Sequence, residues 1–580
     1  MHNREKTALQ KLIDVAAGRE RADIVIKNGT VADVYGGRFI RADVAISSGL
    51  IAGVARDYDG AELYDASGRY VVPAFIDGHI HIESSMLGPV EFSRLLVPHG
   101  TATVIVDPHE IVNITGLAGL ETMLNAASSA CLDIKVMAPS CVPATPYEHS
   151  GFELDARALA APVNDQRLLG LGEFMDYPAV IAAEDRALDT IMLALGAGKL
   201  IDGHSPGVKG KNVNAYAAAH IHTDHECSGA AELEERIGAG MYALLRQGST
   251  CHDLRNLLKG LTPENSRRCV LCSDDLQPTT IIERGHLDEH LRICVEEGVD
   301  PMCALRMATL NAAECYRLFD RGALAPGMRA DITLLDNLSD FRARRVYVGG
   351  VLAAENGRCL LSPPPPDYSA LRGTFHVKDF SERKLALPLV SERAYVIDIK
   401  PGTVVTGKGV AEVKREGGLF VHDPTRDIAK IAVVERHHGT GLVGVGLLRG
   451  YGIKKGAIAV SIAHDSHNII TVGVNDADIA RAVHHLAAIG GGAVLALDGG
   501  VLCELPLPLG GIMSDQSGEW VRQRLNELHD AAWNTLGINK EMEPVLGLAF
   551  MSLAVIPELK ITCDGLFDVH QFDFIPVDAP

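Results

Sequence analysis

Eight short apolar runs constrain this chain more than any other feature. They are VVPAFID (71–77), ATVIVD (102–107), DIKVMAP (133–139), LLGLGEF (168–174), KLIDGH (199–204), AAAHIHTD (217–224), MYALLRQGS (241–249) and RRCVLCSDD (267–275). Each ends in polar residues, and helical stretches separate them. Eight strands alternating with helices over roughly 250 residues predict an α/β fold of the TIM type, a (β/α)8 barrel. In such a barrel the chemistry sits where strands end and loops begin. The strand ends therefore decide what the chain can do.

The first run leads through Asp77-Gly78 to His79 and His81. Residues two apart on a strand share a face, so both imidazoles can aim at one point. The second ends in Asp107, with His109 and Glu110 beyond; the fourth in Glu173; the fifth in His204. The sixth offers His222 and His225, and the eighth Asp274 and Asp275. Buried charges at so many strand ends are costly without an ion to pair them. Histidines with carboxylates suit Zn, Fe or Mn rather than Ca or Mg. His79, His81 and Asp274 on one side and His204 and His225 on the other can hold two ions, with Glu173 as the bridge. The chemistry that follows is hydrolysis by metal-activated hydroxide, with a carboxylate moving the proton.

The rest of the chain frames this barrel. Residues 1–72 predict a helix and the first part of a small β-sandwich, 73–328 the barrel, and 329–362 the second part of the sandwich. SPPPPD (362–367) is a stiff spacer, and 367–580 form a further mixed α/β domain. The 54 basic and 74 acidic residues give a net charge of −20, which disfavours nucleic acid and anionic membranes as partners. The charged N-terminus lacks a signal-peptide core, no apolar run reaches membrane length, and twelve scattered cysteines suit a reducing compartment. A cytoplasmic protein is expected, assembled as a homo-oligomer, a dimer.

Longer segments carry a resemblance. GHIHIESSM (78–86), TATVIVDPHEIVN (101–113), GLGEFM (170–175), DGHSPG (202–207), TDHE (223–226), LCSDDLQP (271–278), AHDSHNIITVGVNDADIA (463–480) and GGIMSD (510–515) resemble the prokaryotic adenine deaminase family of the amidohydrolase superfamily. ATLNAAECYRLFDRGALAPGMRADITLLDN (308–337) resembles the passage from that superfamily's barrel to its sandwich. The resemblance implies hydrolysis of adenine to hypoxanthine and ammonia by attack at C6, in purine salvage or catabolism, with free base preferred over nucleoside. It also implies a binuclear centre of Mn2+ or Fe2+, with Zn2+ as the alternative metal. The ligands it implies are His79, His81, Glu173, His204, His225 and Asp274. The TDHE pattern favours His225 over His222, and nearness to the strand end favours Asp274 over Asp275.

The fourth-strand position holds Glu173 rather than the carboxylated lysine of hydantoinases and dihydroorotases, which weakens a cyclic-amide reading. No glutamate follows His204 closely, so a proton shuttle must come from elsewhere. Asp274 and Glu83 are the candidate catalytic residues, Glu83 because it is in phase with His79 and His81. Asp107 is expected to orient a ligand from behind. The competing functions are an amidohydrolase acting on another aminopurine or a cyclic amide, and a catalytically dead scaffold; no predicted ligand has been lost. Two motifs are discounted. His81-Ile82-Glu83 with Cys269 and Cys272 mimics a cytidine-type deaminase without its PCxxC. GTGLVG (439–444) fits GxGxxG but continues as strand rather than helix.

Overall fold

The computed structural model describes residues 2–580 apart from Pro146, with side chains from Glu5 onward. Barrel strands run over Phe75–His81, Thr101–Val106, Asp133–Ala138, Leu168–Phe174, Leu200–Gly203, Thr223–Asp224, Tyr242–Arg246 and Cys269–Cys272, the last continuing as Asp274–Asp275. Every observed ladder between them is parallel. Asp274–Asp275 pairs with the first strand and closes the ring. The fifth and sixth strands are joined by the His222 N–H donating to Ile201 O at 2.8 Å.

The sixth strand is shorter than its sequence run implies. Ala217 and Ala218 end the helix Lys211–Ala218, and only Thr223–Asp224 pairs. Alanine is the strongest helix former, so the AAA segment extends the preceding helix.

Strand-end carboxylates stitch the ring together. Asp77 Oδ1 accepts from the amides of His79 and Ser273, at 3.2 and 3.1 Å. Its Oδ2 lies 2.7 Å from His286 Nε2, whose Nδ1 lies 2.7 Å from Thr101 Oγ1. One buried carboxylate thus fixes the first strand against the eighth, and His79 against Asp274.

The flanking segments build one curled nine-stranded sheet. Ile332–Leu335, from beyond the barrel, pairs antiparallel with Tyr70–Pro73 before it. The two halves enclose a common core containing Ile26, Val44, Val71, Ile332 and Leu334. The segments before and after the barrel thus pair within one sheet rather than in two stacked ones.

The C-terminal domain holds an eight-stranded sheet covered by helices Asp476–Ala488 and Gly518–Ala531. Val443–Arg449 is a strand, as the reading against a dinucleotide loop requires. The domain sits directly on the barrel. The Ser514 N–H donates to Met86 O at 2.8 Å, and Asn468 Nδ2 donates to His149 O at 2.9 Å. Met86, Ile111 and Ile114 share a continuous apolar core with Leu507, Ile512 and Met513. Gly510 has a left-handed backbone, φ 64°, and a Cβ there would stand 2.4 Å from the Ile111 side chain at Cδ1, so the two domains pack closely at this point. No helix of the described residues is long and apolar enough to cross a membrane.

Removing residues beyond Ser362 strips the cover from this shared core. A fragment ending there is expected to be insoluble or inactive; a soluble fragment with full turnover would make the domain dispensable.

Candidate metal centre and active site

Side chains at or just beyond the ends of the first, second, fourth, fifth, sixth and eighth strands meet in one buried cluster. The His79 and His81 Nε2 atoms are 3.1 Å apart. His81 Nδ1 lies 2.9 Å from Asp107 O. A carbonyl only accepts, so Nδ1 carries the proton and Nε2 of the neutral ring presents a lone pair. Glu173 Oε1 and Asp274 Oδ1 each lie 3.2 Å from that Nε2. Glu173 Oε2 is 2.7 Å from His204 Nδ1 and 3.2 Å from His225 Nε2. His109 Nδ1 lies 3.5 Å from Glu173 Oε1.

All six predicted ligands therefore meet at one place. Compatible donor atoms lie within 4.8 Å of one another in overlapping trios: His79, His81 and Asp274; His79, Glu173 and His225; His204, His225 and Glu226. Glu173 lies between the two ends. Asp274 adopts a left-handed backbone with φ 61°, which turns its carboxylate into the cluster; a bent, sparsely populated conformation of this kind is common at functional sites.

His222 parts from the cluster, while Asp275 stays in the cavity wall beside Asp274. His222 Nε2 points to Cys315 O at 3.1 Å, away from the cluster. Asp275 is bonded by Ser84 Oγ. Asp107 accepts the Glu173 N–H on Oδ2 at 2.9 Å. Its fit requires Gly172, where a Cβ would stand 2.0 Å from Asp107 Oδ2. Glu83 does not keep the phase expected of it. The strand ends at His81 and the chain turns into a 3-10 helix over Glu83–Ser85. Glu83 Oε1 accepts the Ile111 N–H at 3.2 Å, and Oε2 has no partner. Burial and the neighbouring Glu110 push its carboxyl up to about 8.

The donor set fits divalent metal. His109 Nδ1 and Asp107 Oδ1 are buried without hydrogen-bond partners. Burial and the adjacent imidazoles of His225 and His81 hold His79 well below its ordinary range. Burial works against protonation of His81 too, yet Asp274 and Glu173 push it well up. Despite burial, His204 and His225 hold Glu173 ionised. The cluster draws positive charge to its centre, and neutral imidazoles with carboxylates are the ligands such ions take.

The cluster floors a cavity of ≈ 400 Å³, walled partly by Tyr177, Phe550, Leu553 and Ile556. That size and apolar lining suit a small flat ligand. A larger groove of ≈ 520 Å³ near Ser140 and Glu148 contains none of the cluster residues.

Comparison with known proteins decides the family. A family model described as the adenine deaminase C-terminal domain matches residues 403–573, and one for the amidohydrolase family matches 70–353. "Adenine deaminase 2" of Desulfotalea psychrophila is 56% identical, covering 99% of this chain and 100% of that protein. "Adenine deaminase" of Nitratidesulfovibrio vulgaris is 47% identical over 98% and 99%, respectively. This chain belongs to the adenine deaminase family of amidohydrolases.

Within this family member the sequence reading left several cluster residues without a role. Glu226 lies 3.4 Å from His225 Nε2 and is bonded by Arg246, which also donates to Asp274 Oδ2 at 2.9 Å. Both stood in view, in TDHE and at the end of MYALLR, but nothing in spacing distinguishes them from solvated loop charges. His109 and Asp465, 3.7 Å apart, belong to different domains, and local patterning cannot join them.

The geometry predicts opposite outcomes for two neighbouring histidines. His225→Ala should lose bound metal and nearly all turnover, whereas His222→Ala should keep both. Elemental analysis with an activity assay checks this, and equal losses would contradict the assignment.

Proposed function

We propose that the cavity hydrolyses adenine to hypoxanthine and ammonia. The observation that carries this is identity to adenine deaminases over almost the whole chain, C-terminal domain included. We further propose that His79, His81 and Asp274 hold one divalent ion and His204 and His225 a second, with Glu173 between them. Mn2+ or Fe2+ suits this mixed nitrogen and oxygen set, and Zn2+ is the alternative. Bound metal supplies Lewis-acid activation of water and polarises the substrate. The twelve unpaired thiols suit a reducing cytoplasm.

The chain's own residues handle binding and protons. The apolar walls exclude water and hold the planar base with its C6 toward the floor. Asp274 touches the cluster and lines the cavity. Arg246 engages its Oδ2, which leaves Oδ1 directed at the cluster. Against burial, His81 and Arg246 keep Asp274 ionised. It is therefore free to accept the proton that water gives up as it adds to C6. The same proton must then reach the departing amine, which leaves as ammonia; atoms balance as adenine plus water giving hypoxanthine plus ammonia. Glu83, buried and off the cavity wall, reaches this path only through its neighbours. Asp107 acts from behind by holding the Glu173 backbone.

Asp274→Asn keeps an oxygen for the metal but cannot carry a proton. Turnover of adenine, followed by ultraviolet absorbance, should fall about 10²-fold or more with metal content retained, the scale of general acid–base catalysis. Restoration to near wild-type turnover by excess metal would reduce Asp274 to a ligand alone.

A further inference from the structure

The C-terminal domain adds two polar groups to the cavity that the reaction above does not use. His464 lines the cavity and is 4% exposed. Its Nδ1 lies 2.9 Å from Glu110 Oε1, a barrel carboxylate. Its ring stacks on Phe550, with centroids 4.6 Å apart and planes 20° apart. Both contacts fix the ring, and its Nε2 has no hydrogen-bond partner. The adjacent Asp465 lines the same cavity and is equally buried. Its Oδ1 lies 3.7 Å from His109 Nε2, and its Oδ2 has no partner. Buried polar atoms without partners are costly, so two in one wall point to a ligand that completes them.

A third cation site is the first alternative, since Glu110, His464 and His467 cluster closely. The tautomer of His467 argues against it. Its Nδ1 accepts the Ala463 N–H at 3.1 Å, which places the ring proton on Nε2. That nitrogen then has no lone pair to give a metal. The trio is an orienting network instead. Glu110 accepts the Nδ1–H of His464. Although burial opposes it, Glu110 pushes His464 up to about 9, so Nε2 is an N–H donor at neutral pH. Although burial opposes it too, His109 keeps Asp465 ionised, so Oδ2 is an acceptor.

His464 Nε2 thus supplies a donor and Asp465 Oδ2 an acceptor, from adjacent residues that both line the cavity. Free adenine carries the complement on the edge away from its amino group: N3 is bare, and N9 bears a hydrogen. We propose that His464 and Asp465 read this edge, with His464 Nε2–H donating to N3 and Asp465 Oδ2 accepting from N9–H. Glu110 is the positioning residue for His464. The inference rests on the adenine deaminase reading and gives it a basis for substrate choice. A nucleoside carries carbon on N9, so it would leave Asp465 Oδ2 buried and unpaired. Sites built around such a hydrogen bond reject analogues lacking it far more strongly than apolar pockets reject added bulk.

The test compares adenine with two analogues, 3-deazaadenine, which lacks the N3 acceptor, and 9-methyladenine, which lacks the N9 hydrogen. KM is measured for each, or Ki where the base is not turned over. Wild type should bind both analogues about 10-fold or more weakly than adenine, the scale of a hydrogen bond to a charged group. His464→Phe should weaken adenine by a similar factor and abolish the discrimination against 3-deazaadenine only. Asp465→Asn should narrow the gap between adenine and 9-methyladenine. His464→Gln, which keeps an N–H donor, should recover part of the loss. Metal content and melting temperature establish that the variants are folded; if His464→Phe is not, His464→Gln and wild type carry the comparison. Analogue ratios identical in wild type and variants, with adenine turned over normally, would overturn this inference while leaving the deaminase reading intact. A metal-loaded wild type inert toward adenine would overturn both.

Discussion

One buried carboxylate organises this protein. Glu173 is 3% exposed and stands within 3.5 Å of imidazole nitrogens from four histidines, His81, His109, His204 and His225. A charge taken out of water at that depth is strongly unfavourable unless opposite charge and hydrogen bonds surround it. The barrel meets that demand by bringing strand ends from all sides to one point. The supporting carboxylates serve the same end from one layer below. Asp77 ties the first strand to the eighth, and Asp107 holds the Glu173 backbone. The two carboxylates that grip the backbone this way, together with Gly172, which leaves room for one of them, set the positions of Glu173 and Asp274.

Much of this was legible because strand ends are marked twice in sequence. An apolar run gives the strand, and an abrupt histidine or carboxylate gives its end, as at IDGHIH, GLGEF and VLCSDD. The family pattern favours His225 over His222, and the two rings do lie apart: His222 is engaged by the Cys315 carbonyl, whereas His225 stands beside Glu173. The period-2 argument failed at Glu83 because alternation holds only while the chain is a strand, and Ile82 already has helical backbone angles. The sixth run was overextended because an alanine triplet reads as apolar in either structure. Arg246, Glu226 and Asp465 went unassigned because their importance lies in contacts across strands and domains, to which sequence spacing is blind.

The C-terminal domain is part of the same construction rather than an appendage. Its Val404–Val405 and Phe550 segments wall the cavity. Lys560 ties them together, donating to Val404 O at 3.0 Å and Phe550 O at 2.9 Å. Burial pulls that amine down to about 7. Burial of the cluster side chains strengthens the electrostatic contacts among them. The barrel thus supplies reactivity, and the second domain supplies shape.

The central claim is that the strand-end cluster is a two-ion centre that deaminates adenine. Its most direct test is to titrate metal-free protein with Mn2+ while following adenine by its ultraviolet absorbance. The account predicts a rate that climbs from near zero and levels off at two equivalents per chain. Turnover without metal, or a plateau at one equivalent, would contradict it.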